Sequence, residues 1–126
     1  IMDRVQKGKP FVGKYLVNID NVQKYAIASI SSSHHDDKPN AELVVLDEIG
    51  KMEMKCPQFI PAVTKLLSAT STTNCIIIFG TLPTPRYGRV IADVETIRAR
   101  NDVLVLQVTK DNREELKLKL NRIKSI

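Results

Sequence analysis

Two adjacent carboxylic acids, Asp47 and Glu48, directly follow an apolar run at residues 43–46. A short run of this kind predicts a buried strand of a parallel sheet, and such sheets bind ligands at the carboxyl ends of their strands. One carboxylate can hold a hydrated Mg²⁺ ion, because this ion keeps several of its waters. Phosphoryl transfer also needs a group that orients the attacking water. The pair therefore suits a phosphate site in which Asp47 holds Mg²⁺ and Glu48 activates water, although acidic dipeptides also occur by chance.

A hydroxyl group, Thr81, stands at the end of the next apolar run, residues 75–79. From a neighbouring strand it could reach the attacking water or a terminal phosphate, or it could be a threonine that simply closes a strand. Arg86 and Arg89 follow in the next loop and could neutralise charge in a transition state. Exposed arginines are more often solvated, so their role stays open.

Two further polar clusters could take part in a site. Asn112 and Arg113 follow a third apolar run and could line a nucleobase pocket, with ordinary capping of a helix as the alternative. Residues 34–37, His-His-Asp-Asp, have the composition of a metal site. Adjacent side chains rarely converge on one ion, so a solvated loop is the better interpretation of that run.

The elements that must position these residues alternate between strands and helices, which favours an α/β fold with a mostly parallel sheet. Apolar, β-branched runs predict strands at residues 11–17, 42–47, 75–79 and 103–108. Apolar spacing predicts helices that begin after Asp20, near residue 60, near Val90 and at Asp111. Polar stretches at residues 31–41 and 68–74 predict loops.

Several details of these helices are also predicted. Asp20 is the expected N-cap of the first helix, and Pro61 places the start of the second near residue 60 or kinks it there. Asp111 and Glu114 have the spacing of a capping box. The buried face of the first helix should carry Val22, Tyr25, Ala26 and Ile30, that of the third Val90, Ile91, Val94 and Ile97, and that of the last Leu116, Leu120 and Ile123.

Composition limits the classes of function. A chain of 126 residues fits one domain, and its net charge of +5 favours anionic partners. The basic residues are scattered and only 5% of residues are aromatic, which argues against a nucleic-acid platform. No run approaches the roughly 20 apolar residues of a membrane helix. Two distant cysteines, Cys56 and Cys75, indicate reduced thiols and a cytoplasmic protein, with the nucleus as a second compartment.

Taken together, several segments resemble the P-loop nucleoside-triphosphatase family of the thermophile and cancer-related type. Residues 47–53, Asp-Glu-Ile-Gly-Lys-Met-Glu, resemble its Walker B segment, and residues 80–85, Gly-Thr-Leu-Pro-Thr-Pro, resemble a further loop of the family. The likeness extends from residue 11 to about residue 120. Its other blocks are residues 12–15, 59–60, 62–63, 97–100 and 108–113.

This resemblance implies a three-layer, P-loop-like α/β fold and Mg²⁺-dependent hydrolysis of nucleoside triphosphates such as ATP and GTP. It implies that Asp47 binds Mg²⁺, that Glu48 activates water and that Lys51 lies near the phosphates. Thr81 is the second expected catalytic residue, and Asn112 and Arg113 are expected at the nucleotide. The implied substrate is a nucleoside triphosphate, and the oligomeric state is left open.

One expected part of this family is missing from the sequence. The family begins with a strand, a Gly-x-x-x-x-Gly-Lys-Thr loop and a helix, whereas this chain has only isolated Gly-Lys pairs at residues 8–9 and 13–14. Our hypothesis is that residues 1–126 form a single incomplete domain, the C-terminal part of an enzyme, which is poorly stable and inactive alone. In the sheet, the strand that precedes the family's Gly-x-x-x-x-Gly-Lys-Thr loop would lie between the strand ending at Thr81 and the one at 103–108. The alternatives are a binding module that has lost catalysis, or a basic nucleic-acid-binding domain.

Overall fold

The computed structural model describes residues 9–32, 42–70 and 76–123. Two parallel strands organise it: β3 spans Glu42–Leu46 and β4 spans Ile76–Gly80. Their register pairs Val44 with Ile78 and Leu46 with Gly80, so the carboxyl ends of both strands meet at one edge. The α/β class and the parallel sheet are therefore confirmed. The predicted bounds of both strands are correct to within one residue.

Helices cover one face of this sheet, here called the inner face. Helix α3 spans Phe59–Thr70 and follows a 3₁₀ turn at Glu53–Lys55. Helix α4 spans Ala92–Arg98. Their apolar side chains, together with the helical segment before β3, form one core with the inner face. Its most buried members include Ile30, Val44, Leu46, Ile49, Cys56, Phe59, Val63, Leu66, Leu67 and Ile97.

The opposite face of the sheet, here called the outer face, is exposed. Its side chains are Leu43, Val45, Ile77 and Phe79, which are 58%, 60%, 58% and 45% exposed. The prediction of buried strands is therefore wrong for every second residue. Among the described residues, β4 pairs with β3 alone, so its second edge has no strand beside it.

The strand predicted at residues 103–108 is wrong as well. These residues belong to no strand of the described chain, and Leu104 and Val108 are 79% and 68% exposed. Val103 alone among them packs against the core. A strand exists only where a neighbour accepts and donates its backbone hydrogen bonds, and β-branched residues alone do not supply that neighbour.

The strand predicted at residues 11–17 is two strands. β1 spans Phe11–Val12 and β2 spans Tyr15–Leu16, and they pair antiparallel. Gly13 lies between them with a φ of 58°, in the left-handed region that a tight turn uses and glycine adopts readily. The chain therefore reverses where a continuous strand was predicted.

The first helical segment contains an irregularity that shifts its buried face. Helix α1 spans Ile19–Asn21, a π-helical segment spans Val22–Ile27, and helix α2 spans Ala28–Ser32. Asn18 caps it in place of Asp20, because its side chain accepts the Asn21 N–H at 3.0 Å. A π turn contains more residues than an α turn, so the residues that follow it point to a different side of the helix. Ile27 therefore packs on the core, and Tyr25, predicted to be buried, is 61% exposed.

Other predicted bounds change by a few residues. Ser31 and Ser32 are helical, so the loop predicted at 31–41 begins later, and its His-His-Asp-Asp run lies outside the described residues. Helix α3 starts at Phe59 and continues to Thr70, into the turn predicted at 68–74. Pro61 fits in its first turn, where no backbone N–H is needed.

The last two helices also start later than predicted. Val90 and Ile91 precede helix α4, and Val90 is 63% exposed, whereas Val94 and Ile97 are buried as predicted. The final helix, α5, spans Arg113–Ile123. Leu116 and Leu120 on it are half-buried.

Candidate active site

The carboxyl ends of β3 and β4 are joined by backbone hydrogen bonds beyond the strands themselves. The Thr81 N–H donates to the Leu46 carbonyl at 3.1 Å, and the Ile49 N–H donates to the Thr81 carbonyl at 2.9 Å. Ile49 is buried in the core, which anchors the turn from below. The parallel pairing thus brings the Asp47–Glu48 turn and Thr81 together, as their positions after neighbouring strands predict.

Glu48 occupies an unusual backbone conformation in this turn. Its φ is 72°, in the left-handed region, which costs a residue with a side chain about 1–2 kcal/mol. The Glu48 N–H donates to Oγ1 of Thr81 at 2.7 Å. One hydrogen bond contributes about 1 kcal/mol, so this contact is of the size needed to offset the strain. Strained residues of this kind gather at functional sites.

Gly50 and Glu53 support the same turn. A Cβ atom at Gly50 would lie 2.8 Å from Oε1 and 2.9 Å from Cγ of Glu48, so the Glu48 side chain lies against the bare glycine backbone. The Gly50 N–H donates to Oε2 of Glu53 at 3.2 Å. The structural contribution of Glu53 was not predicted from the sequence. Glu53 stands three residues after Gly50, a spacing at which a side chain can accept the N–H of the earlier residue.

The acidic residues line a cleft of about 410 Å³. Asp47, Glu48 and Glu53 contribute to its wall, together with the buried side chains of Ile30 and Phe59. Asp47 and Glu48 are both exposed, so their oxygens are available to a ligand. Within the described ranges, no three His, Cys, Asp or Glu side chains converge as a metal cage. A single exposed carboxylate nevertheless fits Mg²⁺, which binds proteins through one or two carboxylates and keeps its waters.

Lys51 does not line this cleft. It lies beside a separate hollow of about 380 Å³, together with Lys55 and the hairpin residues Phe11, Val12 and Gly13. Lys51 was expected near the phosphates, but it is not beside the cleft that Asp47 and Glu48 line. The role of Lys51 stays a prediction.

Asn112 and Arg113 lie at the start of helix α5. The Asn112 side chain accepts the Thr109 N–H at 2.8 Å and donates to the Gln107 carbonyl at 2.9 Å. Its own carbonyl accepts the Leu116 N–H at 2.9 Å, as that of an N-cap residue does. This is the capping alternative, and it replaces the predicted Asp111–Glu114 box. The two side-chain bonds use one lone pair and one N–H of the amide, so each group retains one further hydrogen-bonding position.

The arginines fall into two groups. Arg86 and Arg89 are exposed and face each other across a tight turn in which Tyr87 has a φ of 54°. Arg98 and Arg100 instead make structural contacts. Arg98 donates to the Pro83 carbonyl at 3.0 Å, which ties the loop after Thr81 to helix α4.

Arg100 joins the end of helix α3 to the turn after helix α4. It donates to both carboxylate oxygens of Asp102, at 2.8 and 2.6 Å, and to the Leu67 carbonyl at 3.4 Å. The hydrogen bond to Asp102 raises the pKa of Arg100 above its ordinary value. In the sequence, Arg98 and Arg100 belonged only to the block at residues 97–100 that resembles the family, and no structural contact was predicted for them.

Comparison with known proteins identifies relatives of this chain. A family model described as NTPase matches residues 1–121. A cancer-related nucleoside-triphosphatase homolog of Mus musculus is 42% identical over 111 residues, which cover 86% of this chain and 56% of the mouse protein. Nucleoside-triphosphatase THEP1 of Thermotoga maritima is 29% identical, covering all of this chain and 64% of its own.

A solved structure matches as well. The solution structure of a human cancer-related nucleoside triphosphatase superimposes with a TM-score of 0.73 at 36% identity, covering 95% of this chain and 62% of the human one. The chain thus spans little more than half the length of the mammalian relatives it matches. In the described part of the chain, no helix is both long and apolar enough to cross a membrane.

These matches agree with the geometry at the carboxyl edge of the sheet. Asp47 and Glu48 after β3, and Thr81 after β4, all lie within the residues that the family model matches. The family model covers nearly the whole chain, and the mouse relative exceeds 40% identity. The chain therefore belongs to the NTPase family, whose named members are nucleoside-triphosphatases.

Proposed function

We propose that this chain supplies the metal-binding and water-activating part of a nucleoside-triphosphatase site that hydrolyses ATP, GTP and related triphosphates. The observation that carries the proposal is the placement of Asp47 and Glu48 directly after β3, beside Thr81 at the end of β4. Ligands of parallel α/β sheets bind at this edge. The named relatives are nucleoside-triphosphatases, which supports the same reaction.

In this proposal the residues of the turn divide the work. Asp47 holds the Mg²⁺ ion through its exposed carboxylate, and the bound ion would neutralise charge on the phosphate oxygens. Glu48 accepts a proton from the attacking water and orients that water. Lys51, Asn112 and Arg113 are assigned to the nucleotide only through the family resemblance.

The phosphate-gripping part must come from additional polypeptide. No Gly-x-x-x-x-Gly-Lys-Thr loop occurs in the 126 residues, and the matched relatives are considerably longer than this chain. The free edge of β4, the exposed outer face and the unpaired residues 103–108 are a suitable place for another strand and its covering helix. We therefore propose that catalysis requires such a segment, paired alongside β4.

The test compares two proteins. One is the 126-residue chain alone, and the other is the same chain fused to the P-loop segment of the mouse relative. Release of phosphate from Mg²⁺-ATP and Mg²⁺-GTP should occur only in the fusion. Turnover by the chain alone would refute the requirement for an added segment.

Substitutions in the fusion test the assigned roles. Glu48→Gln should lower kcat by about 10²–10⁴-fold with little change in KM, since it removes a general base. Asp47→Asn should instead raise the Mg²⁺ concentration needed for half-maximal rate. Asp93→Asn, an exposed acid on helix α4, is the matched control and should leave turnover unchanged. Normal activity in Glu48→Gln would overturn the assignment of Glu48.

A specific observation also allows a second function. The Asn112 side chain is bonded to the loop before helix α5, and Lys51 lies away from the acidic cleft, as a binding module that lacks catalysis would tolerate. A fusion that binds nucleotide but releases no phosphate would favour this alternative. Nucleic-acid binding is the third candidate, and it would require a steep dependence of binding on salt concentration.

We place the protein in a reducing compartment, the cytoplasm, which agrees with the free, buried thiol of Cys56.

A further inference from the structure

We propose that Thr81 is a positioning residue for Glu48, which acts on the backbone of Glu48 and not on the water or the phosphate. The inference rests on the proposed function, because Glu48 is the water-activating residue only there. It changes the role of Thr81 from that of a group in contact with substrate to that of a support for the general base.

The first argument is the direction of the hydrogen bond. Oγ1 of Thr81 accepts the Glu48 N–H at 2.7 Å, so one acceptor site of this hydroxyl is already used inside the protein. The bond is made to the residue with the strained backbone, whose φ is 72°. A contact at this point holds the left-handed conformation directly.

The second argument is that the rest of the turn needs this conformation. With Glu48 left-handed, its Oε1 and Cγ lie 2.8 and 2.9 Å from where a Cβ of residue 50 would be, in space that the glycine leaves open to this side chain. Glu53 then fixes Gly50 by accepting its N–H. Thr81 therefore contacts the backbone of Glu48, Gly50 leaves room for the Glu48 side chain, and Glu53 fixes the position of Gly50.

The third argument concerns what a substitution would remove. Both backbone bonds of Thr81, to Leu46 and from Ile49, persist when its side chain changes. Thr81→Val keeps the shape of the side chain and replaces the whole hydroxyl, donor and acceptor, by a methyl group, whereas Thr81→Ser keeps the hydroxyl. The pair thus separates the hydrogen bond from packing, and neither change affects the buried core.

The test uses the 126-residue chain, labelled for NMR, and needs no activity. In the wild type and in Thr81→Ser, Glu48 should show the strong intraresidue HN–Hα contact of a positive φ. In Thr81→Val this contact should weaken, and the Glu48 amide should exchange about five- to tenfold faster, as loss of one hydrogen bond predicts. Amides of Val44 and Leu46 in β3 are the internal control and should not change.

A second background guards against a general loss of structure. Glycine adopts a φ near 72° without strain, so in Glu48→Gly the Thr81 hydroxyl should become dispensable. Adding Thr81→Val to that variant should leave the Ile49 amide resonance in place. The proposal would be overturned if Thr81→Val left the strong HN–Hα contact of Glu48 unchanged. It would also be overturned if Thr81→Val shifted the Ile49 amide resonance equally in the wild type and in Glu48→Gly.

Turnover by the fusion separates this proposal from the proposed function. Thr81→Val should lower kcat more than tenfold with KM nearly constant, and Thr81→Ser should restore most of the rate. A wild-type fusion without turnover would refute the proposed function and leave the NMR result to decide the support of Glu48. A turnover loss in Thr81→Val without any change at Glu48 would mean that Thr81 contacts the substrate, and would overturn the positioning role.

Discussion

The two faces of the β3–β4 sheet are built from equally apolar side chains, yet their surroundings are opposite. The inner face, with Val44 and Leu46 at 9% exposure, lies beneath helix α3. The outer face is about half exposed at each of its apolar positions. Alternation along a strand normally separates apolar from polar residues, whereas strands that are covered on both sides are apolar throughout. The composition of this sheet is therefore that of one covered on both faces.

The difference teaches that the sequence specifies a larger sheet than the two strands form. Within the described part of the chain, the outer face adjoins an edge of β4 that has no strand beside it, and residues 103–108 carry apolar side chains outside any strand. Exposed apolar patches with a free strand edge mark interaction surfaces or sites of aggregation. The inner face should accordingly determine stability, and the outer face should determine assembly.

The largest contrast is expected from two neighbouring valines. Val44→Lys places a charge without a partner in the core and should destabilise the fold by about 3 kcal/mol or more. Val45→Lys, on the outer face, should change stability by about 0.5 kcal/mol or less and reduce self-association. Urea unfolding and light scattering measure the two effects. Equal losses in both variants would mean that the outer face is covered in solution.

Truncation of leucines should give a smaller contrast in the same direction. Leu66→Ala removes a fully buried side chain of helix α3 and should cost about 2–5 kcal/mol. Leu43→Ala, at 58% exposure, should cost about 1 kcal/mol or less. Thermal unfolding followed by circular dichroism compares them. A larger effect for Leu43 would contradict the division into two faces.

The contact of Arg100 with Asp102 supports the inner layer at its edge, and its loss should matter less. Asp102→Asn weakens a bidentate pair that is partly exposed, so the expected loss is about 0.5–1 kcal/mol. Arg100→Lys should have a similar effect, because an ammonium group cannot form the planar fork. Double-mutant analysis by urea unfolding measures the coupling. Additive effects of the two substitutions would show that the pair contributes nothing.

The smallest effect is expected on helix α5, outside the core. The hydrogen bond from Lys119 holds the pKa of Glu115 below its ordinary value. A lowered pKa in the folded state gives a stabilisation that is present above the ordinary pKa and is lost as pH falls through the folded one. NMR titration of the Glu115 carboxyl measures this shift, and Lys119→Met should abolish it. High salt should weaken it, since both side chains of the pair are largely exposed.

The sequence predicted well where a pattern acts locally. The strands at 42–47 and 75–79 and the helix predicted to begin near residue 60 follow from unbroken apolar runs and helical spacing. Asp47, Glu48 and Thr81 were predicted at the ends of neighbouring strands, and the hydrogen bond between Glu48 and Thr81 confirms their proximity. The prediction failed at Tyr25, because a π turn changes the phase of a helix without a clear signal in composition.

By itself, then, the sequence determined which segments are apolar enough to form the sheet and its covering helix, and which acids follow them. Only the tertiary structure decided that residues 103–108 form no strand, because strand pairing depends on a neighbour and not on β-propensity. It also decided that Glu48 is left-handed, that its N–H donates to Thr81 and that its side chain lies against Gly50. The bond between Glu48 and Thr81 joins residues 33 positions apart, a distance at which local spacing carries no information.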